Sequence, residues 1–336
     1  MTEPLLQVKH LSKFFTVDTD LLGRTTSVLK AVDDLSFEIF RGEAFGLVGE
    51  SGCGKTTVGK LLVNLYKPTA GEIWYEGQDL AKMSARERRR QCRNIQLIFQ
   101  DPYGSLNPRM TVGDIIAEPI RINHLLPSNR VDDRVGYLLN AVGLSANYRN
   151  RFAHEFSGGQ RQRVSIARAL AMEPDLIVCD EPVSALDVSI QAQVLNLLSD
   201  LCDEFGLTYL FIAHGLNVVK HISDRVGVMY LGRLVEVAPK RELYNNPLHP
   251  YTKALLSAIP VTNPAHRKER ILLEGDVSSP IDPPPGCRFA SRCYARTGCG
   301  GCACETTMPE LVEVSPGHFV SCYLFAGDRT TGREEK

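Results

Sequence analysis

An eight-residue string, Gly49–Thr56 (GESGCGKT), constrains the fold of this chain more than any other segment. It follows the apolar run 44–48 (AFGLV) and opens a helix predicted over 55–66 (KTTVGKLLVNLY). Its glycines let backbone N–H groups curl around phosphate oxygens, and the helix N-terminus adds a partial positive charge. Lys55 is expected to reach the β- and γ-phosphates of a nucleotide, and Thr56 to ligate Mg²⁺. The string therefore predicts a phosphate-binding loop between a buried strand and a helix.

A second motif lies about 125 residues further on. The segment 176–181 (LIVCDE) is a short apolar run that ends in two acids, which is typical of a central parallel strand. A carboxylate at such a strand end can hold Mg²⁺, and a second one beside it can polarise an attacking water as a general base. Asp180 and Glu181 are the candidates for these two functions.

Periodicity places both motifs in an α/β core. Residues 6–50 alternate apolar and polar residues and are predicted as strands, as is 208–214 (TYLFIAH). Residues 109–172 are predicted to be mostly helical, and 225–238 to form a hairpin around Gly232. Strands that alternate with helices predict a doubly wound core, into which the helical block is inserted.

Composition limits the classes of protein that fit. The chain has 336 residues, 43% of them hydrophobic, which allows about two domains. Lys and Arg number 38 and Asp and Glu 39, so the basic excess of a nucleic-acid binder is absent. No apolar run approaches the ~20 residues of a membrane span, and the first residues do not read as a secretory signal. The chain is expected to work in the cytosol, where it can still bind a membrane protein.

Further motifs follow in a fixed order. Gln100 comes first, then 156–160 (FSGGQ), then 184–187 (SALD) and His214. With the phosphate-binding loop, this series resembles the nucleotide-binding subunit of an ABC transporter over about residues 5–256. The resemblance implies an ABC-type P-loop domain with a RecA-like core, an antiparallel β subdomain and a helical signature subdomain.

The resemblance assigns functions residue by residue. Glu181 matches the catalytic base, His214 the switch histidine at the γ-phosphate, and Gln100 the Q-loop glutamine. Thr56, Gln100 and Asp180 match the Mg²⁺ ligands. ATP contacts are expected from Phe15, Gly49, Ser51, Gly52, Cys53, Gly54, Lys55, Thr56, Thr57, Gln100, Asp180, Ser157, Gly158, Gly159 and Gln160, the last four acting on the ATP of a partner subunit.

Three further positions are compared with the family pattern. Phe15 matches the aromatic residue that stacks on adenine, although the adjacent Phe14 could take that place. Asp187 matches the D-loop at the dimer interface. The family commonly has Asp after the switch histidine, whereas this chain has Gly215, so the loop is expected to be looser while activity survives.

The region after the core narrows the substrate. Residues 246–256 (NPLHPYTKALL) resemble the H-P-Y-T segment of oligopeptide/dipeptide transporter ATPases, and within that group the similarity is greatest to the second ATPase of dipeptide permeases. This implies import of dipeptides or oligopeptides, with nickel or glutathione as alternative cargoes. The implied partners are a homologous second ATPase subunit, two membrane permease subunits and an extracytoplasmic peptide-binding protein, with the chain at the cytoplasmic face of the inner membrane.

The composition changes at about residue 257, so the chain is divided into a nucleotide-binding domain (1–256, helical subdomain about 101–172) and a cysteine-rich extension (257–336). The extension is proline-rich, has a weak core of its own, and holds six of the ten cysteines. A cytosolic location disfavours disulfides, and four thiolates suit zinc or an iron–sulfur cluster. The subfamily's cysteine pattern implies a [4Fe–4S] cluster, with Zn²⁺ as the alternative. The ligands that match it are Cys287, Cys293, Cys304 and Cys322, with Cys299 and Cys302 as alternatives for the third.

Two other classes of function remain to be weighed. An ABC-type ATPase that acts on nucleic acid also combines these motifs with cysteine sites, but usually has two cassettes, a long coiled coil or a basic surface. A redox module built around the cysteines would not need the full set of hydrolytic motifs. Neither class fits the chain as well as a transport ATPase.

Overall fold

The computed structural model of the chain describes residues 3–19, 25–259, 270–275, 278–296 and 303–325. The strands are β1 (Pro4–Thr19), β2 (Thr25–Phe40), β3 (Ala44–Val48), β4 (Ala70–Tyr75), β5 (Gln78–Asp79), β6 (Ile95–Ile98), β7 (Leu176–Asp180), β8 (Thr208–Ala213), β9 (Arg225–Tyr230), β10 (Arg233–Pro239), β11 (Val312–Ser315) and β12 (His318–Val320). The helices are α1 (Lys55–Leu62), α2 (Ala85–Asn94), α3 (Pro102–Ser105), α4 (Val112–Ile122), α5 (Ser128–Ala141), α6 (Gly158–Leu170), α7 (Val188–Phe205), α8 (Leu216–Ile222), α9 (Lys240–Asn245), α10 (Pro250–Ser257) and α11 (Ala303–Thr306).

The core is a mixed sheet in the order β11-β12-β10-β9-β3-β8-β7-β6. Strands β6 to β9 and β3 pair in parallel, and every residue of β3, β7 and β8 is buried. Strands covered on both faces are expected to be continuously apolar, as 44–48 and 176–179 are. Because parallel strands end at the same edge, the residues that follow β3, β6, β7 and β8 are brought together there. This confirms the predicted α/β core.

A separate antiparallel sheet, ordered β2-β1-β4-β5, packs beside the core. Strand β1 shows the alternation that the sequence predicts, with Leu6 and Val8 buried and Gln7 and Lys9 more exposed. Leu6, Val8 and Val58 of α1 lie in one apolar cluster, so this sheet packs close to the helix that follows the phosphate-binding loop. The predicted helix 55–66 ends earlier, at Leu62, and Asn64 takes a left-handed conformation with a φ of 58°.

The helical block between β6 and β7 contains α3 to α6. Helices α4 and α6 begin at polar caps, since the side chain of Thr111 accepts a hydrogen bond from the N–H of Asp114, and that of Ser157 from the N–H of Gln160. Apolar side chains of α4, α5 and α6 are buried in a cluster that continues into the core sheet. The block therefore holds α6 firmly against the core.

The described part of the C-terminal extension packs onto the core sheet. Its strands β11 and β12 form a hairpin, and β12 pairs with β10 to extend the core sheet. Phe289 is buried in the main apolar cluster, and Phe319 packs against the second one. The extension also buries a small apolar cluster, in which Cys304, Val320 and Cys322 lie with Leu248. Among the described residues, no helix combines the length and apolar character needed to cross a membrane.

Candidate nucleotide-binding site

The phosphate-binding loop occupies the predicted position between β3 and α1. Gly52 and Gly54 have φ values of 79° and 106°, in the left-handed region that favours glycine. A Cβ atom on Gly54 would lie 2.0 Å from the carbonyl oxygen of Ala31. The loop can therefore approach Ala31 this closely only because residue 54 has no side chain.

Lys55 reaches back across this loop. Its ammonium group donates hydrogen bonds to the carbonyl oxygens of Gly49 at 2.8 Å and Glu50 at 3.0 Å. The residue is only 4% exposed, so the ammonium is largely removed from bulk water. A cation held inside the curve of the loop is suited to phosphate oxygens, which would replace the two carbonyls as its partners.

The Mg²⁺ candidates Thr56 and Asp180 meet at the ends of α1 and β7. The Thr56 hydroxyl donates a hydrogen bond to Oδ1 of Asp180 at 2.9 Å. Burial raises the pKa of Asp180, and the charge of Glu181 raises it further, whereas the Thr56 hydroxyl and two nearby lysines oppose the shift. A buried carboxylate beside a hydroxyl is a ligand pair that Mg²⁺ can use, and a bound cation would offset the cost of burying the charge.

Gln100 and Glu181, from neighbouring strand ends, form a second contact. Nε2 of Gln100 donates to Oε2 of Glu181 at 2.9 Å. The N–H of Glu181 donates to the carbonyl oxygen of Ile212 at 3.0 Å, which ties the turn after β7 to β8. Glu181 itself has a φ of 47°, an uncommon conformation for a residue other than glycine. The predicted base and Q-loop residue are therefore direct neighbours.

Residues 157–160, which match the ABC signature and are called the signature residues below, form the N-terminal end of α6. Ser157 and Gln160 form a reciprocal capping box, in which Oε1 of Gln160 accepts from the Ser157 N–H at 3.0 Å. Ser157 and Gly158 are exposed, and a Cβ atom on Gly159 would lie 2.4 Å from the Ile190 side chain. This helix N-terminus is open to an anion from outside the chain, as a site completed by a partner subunit requires.

Three other positions named from the sequence are His214, Asp187 and Gly215. His214 is exposed directly after β8, and Asp187 is exposed at the start of α7. Gly215 has a φ of −118°, which any residue adopts, and a Cβ atom there would meet only the flexible Asn217 side chain. The backbone therefore does not require glycine at 215.

The aromatic candidate Phe15 is half-buried on β1. Its ring lies edge-on to Tyr66 with centroids 5.6 Å apart, and Nζ of Lys13 lies 5.0 Å from its centroid. The neighbouring Phe14 faces Lys30 instead.

Within the loop, Cys53 is 3% exposed, and burial raises the pKa of its thiol. Only its backbone is available to a nucleotide, whereas Ser51 and Gly52 are exposed and Thr57 is half-buried.

The H-P-Y-T segment is anchored by a buried carboxylate that sequence reasoning missed. Glu236 of β10 is fully buried and accepts hydrogen bonds from the N–H groups of Leu248 and His249 and from Nε2 of His318. Nδ1 of His249 in turn accepts from the N–H of Tyr251, which caps α10. The signal available in the sequence is a single charged residue, Glu236, within the apolar run 234–238 (LVEVA).

This anchor predicts a loss of stability in mild acid. Burial lowers the pKa of His249 from 6.5 to about 4, although Glu236 opposes the shift. Between these values the unfolded chain binds a proton that the folded chain excludes, so the free energy of unfolding falls by up to about 1.4 kcal/mol per pH unit as the pH decreases. Urea unfolding at pH 7, 6 and 5 measures this slope.

His249→Asn keeps an acceptor for the N–H of Tyr251 and removes the titrating group, so it is expected to flatten the slope. His124→Asn is the control, because His124 is exposed. Equal slopes in wild type and His249→Asn would contradict the prediction.

The four predicted cluster ligands lie in one region of the extension. Cys304 and Cys322 are buried in a small apolar cluster, against which Cys287 packs, and the N–H of Cys287 donates to the carbonyl oxygen of Cys304 at 2.8 Å. Cys293 is half-buried in the same extension. Across the residues that the structure describes, however, no three Cys, His, Asp or Glu side chains are grouped to hold a metal ion. The alternative ligands Cys299 and Cys302 lie outside the described residues.

Comparisons with known proteins agree with this geometry. Residues 32–184 match the ABC transporter family, and residues 235–299 match the C-terminal region of oligopeptide/dipeptide transporters. The chain is 50% identical to the oligopeptide transport ATP-binding protein AppF of Bacillus subtilis, over 96% of this chain and 98% of AppF. It is 47% identical to the dipeptide transport ATP-binding protein DppF of Escherichia coli, over 99% and 98% of the two chains.

Among solved structures, the ATP-binding cassette MJ0796, a dimer bound to ADP and Pi, superposes with a TM-score of 0.62 at 26% identity. It covers 70% of this chain, and the match includes 99% of MJ0796. On these grounds the chain belongs to the ATP-binding subunits of the oligopeptide/dipeptide ABC transporter family.

Proposed function

We propose that this chain is the ATP-hydrolysing subunit that energises import of dipeptides or oligopeptides by a multi-subunit ABC transporter. The observation that carries the proposal is the meeting of two hydrogen-bonded pairs, Thr56 with Asp180 and Gln100 with Glu181, beside the phosphate-binding loop. The first pair is suited to Mg²⁺ and the second to an attacking water. The names of relatives such as AppF and DppF support a peptide as the cargo.

Each site residue has one proposed task. Lys55 binds the β- and γ-phosphates, Thr56 and Asp180 hold Mg²⁺ with Gln100, and Glu181 accepts the proton of the attacking water. His214 contacts the γ-phosphate. The residues that cradle, stack on or complete the site are Phe15, Gly49, Ser51, Gly52, Cys53, Gly54, Thr57, Ser157, Gly158, Gly159 and Gln160.

The signature residues require a second cassette. Ser157 and Gly158 are exposed at a helix N-terminus, and we infer that they close on ATP bound to a homologous but distinct ATPase subunit. Closure of such a heterodimer would be transmitted to two membrane permease subunits. Phe99, Tyr103 and Ile122 are 37%, 61% and 69% exposed around the Q-loop, and an apolar surface of this kind supports contact with a permease. The chain would then lie at the cytoplasmic face of the inner membrane.

The chain is proposed to consist of two domains. Residues 1–256 form the nucleotide-binding domain, with a helical subdomain at about 101–172, and residues 257–336 form the extension. The family match at 235–299 crosses the proposed boundary, which is consistent with an extension that packs onto β10 rather than standing apart.

The cargo is tested in the assembled transporter. We expect ATPase activity of the reconstituted complex to rise when its binding protein carries a dipeptide or oligopeptide, and not when it carries Ni²⁺ or glutathione. If only Ni²⁺ or only glutathione stimulates the ATPase activity, that compound is the cargo and the proposal of a peptide is wrong. Binding of the chain to DNA at low salt would favour the nucleic-acid alternative.

We also propose that the cysteines of the extension bind a [4Fe–4S] cluster. Thiolate chemistry and the shared region of Cys287, Cys293, Cys304 and Cys322 support it, although the described side chains are not yet grouped as ligands. Four thiolates would hold the iron, and the cluster would brace the extension.

Anaerobic purification is expected to give a brown protein that contains iron. Cys304→Ser is expected to lose iron, whereas Cys299→Ser is expected to keep it, and the reverse result would show that the third ligand is Cys299. A colourless protein with one zinc per chain would replace the cluster with Zn²⁺.

A further inference from the structure

The second residue of the phosphate-binding loop, Glu50, is held from three directions. Its carbonyl oxygen accepts a hydrogen bond from Lys55 at 3.0 Å, and its N–H donates to the Tyr251 hydroxyl at 3.0 Å. Its carboxylate forms an ion pair with Nη1 of Arg292 at 2.9 Å. The first partner belongs to the loop itself. The other two belong to the H-P-Y-T segment and to the C-terminal extension, far away in sequence.

The arginine comes from a well-packed part of the extension. Arg292 lies between Cys287 and Cys293, its side chain is 10% exposed, and the same Nη1 also approaches the Tyr230 hydroxyl at 3.4 Å. Phe289, on the same short segment, is 1% exposed. Its ring stacks edge-on against Tyr230 with centroids 5.3 Å apart.

Tyr251 is equally fixed. It is fully buried, and its ring lies 4.7 Å from Tyr230 and 5.4 Å from Phe289 between centroids. Tyr230, Tyr251 and Phe289 thus form one aromatic cluster. Tyr251 belongs to this cluster, and Arg292 contacts it through the Tyr230 hydroxyl. The second arginine of the segment, Arg288, is buried against Asp33 and anchors the segment at its other end.

A glycine-rich loop gains most from such anchors. Without side chains at three of its positions it has many accessible conformations, and ordering them on binding reduces affinity. Contacts made before the nucleotide arrives remove part of that cost. Because the ion pair is only partly exposed, it is expected to be stronger than a fully solvated pair.

We propose that Arg292 of the C-terminal extension and Tyr251 of the H-P-Y-T segment are positioning residues that set the MgATP affinity of the phosphate-binding loop. This inference rests on the proposed nucleotide site. Neither residue would touch the nucleotide, and both act through Glu50. The extension is then part of the ATP-binding machinery and not only an appendage of the cassette.

The charges allow positioning to be separated from simple electrostatics. If Arg292 acted only as a nearby positive charge, Arg292→Ala would weaken MgATP binding, whereas Glu50→Ala would strengthen it by removing a negative charge. If the pair positions the loop, both substitutions weaken binding. The double variant would then be no weaker than either single variant, because the contact is lost only once.

The experiment measures MgATP dissociation constants of the full-length chain by titration calorimetry. We expect Arg292→Ala and Glu50→Ala each to weaken binding about fivefold, the loss of a partly exposed charged contact. Arg292→Lys is expected to recover most of the affinity. Arg296→Ala is the matched control, because Arg296 lies in the same part of the extension but pairs with Glu305.

Unchanged affinity in Arg292→Ala, or stronger binding in Glu50→Ala, would overturn the inference. So would an equal loss in Arg296→Ala, which would indicate general loosening of the extension. Lys55→Ala serves as the reference for the site itself. If that variant binds MgATP normally, the proposed site is wrong, whereas loss of binding there with no effect at Arg292 defeats only the positioning inference.

Discussion

Glu181→Gln is expected to bind MgATP normally. Its rate of ATP hydrolysis is expected to fall by at least about 100-fold, as loss of a general base predicts. Glutamine has the same shape, and its amide oxygen can still accept the hydrogen bond that Gln100 now donates to Glu181. The change therefore removes the proton acceptor and leaves the contact between the two strand ends. Phosphate release from the assembled transporter measures the rate, and the variant should accumulate the closed dimer.

Glu204→Gln is the control for this prediction. Glu204 is exposed near the far end of α7, the helix that begins shortly after Glu181, and its replacement is expected to leave turnover unchanged. If Glu181→Gln keeps turnover within twofold of wild type, then another group activates the water. His214, exposed after the neighbouring strand β8, would be the first to examine.

The nucleotide site could be predicted from sequence because its chemistry is local. Lys55 and Thr56 follow a strand and open a helix, and Asp180 and Glu181 end another strand. Parallel pairing in one sheet then brings these ends together without further information. The motif order therefore selected residues that the structure brings together, although the hydrogen bond between Gln100 and Glu181 was not predicted.

The packing of the extension could not be predicted in the same way. Strand β12 is three residues long and pairs with β10, about 80 residues earlier, so neither periodicity nor turn residues indicate it. The partners of Glu236 and Glu50 likewise come from distant segments. Hydrogen bonds of this kind depend on tertiary placement, which a single sequence pattern does not encode.

The cysteines illustrate a different limit. Their spacing indicated metal chemistry, yet spacing does not determine where sulfur atoms point. Cys304 and Cys322 lie with Leu248 and Val320 in an apolar cluster, an environment that suits thiols as small hydrophobic groups as well as ligands. The choice between these states depends on whether a metal is bound, which iron and zinc analysis measures directly.

Lys55→Ala is expected to weaken MgATP binding by about 100-fold or more, the largest effect on affinity of any single change proposed. A unit charge pair 4 Å apart contributes about 4 kcal/mol at the effective dielectric of a protein surface, and Lys55 is the only buried cation among the described loop residues. Alanine keeps the high helix propensity needed at the start of α1. Calorimetric titration of the full-length chain with MgATP measures the change.

Lys60→Ala separates this local effect from a general loss of positive charge. Lys60 lies on the same helix α1, five residues after Lys55, and its ammonium group lies over the Tyr66 ring at 5.6 Å rather than inside the loop. Both variants lose one charge, but only Lys55→Ala removes the donor to the Gly49 and Glu50 carbonyls. Wild-type affinity in both variants would show that the loop binds phosphate through its backbone alone, and an equal loss in both would show a general effect of positive charge. A selective loss in Lys55→Ala would show that a desolvated ammonium, already held where the phosphates must lie, provides most of the recognition.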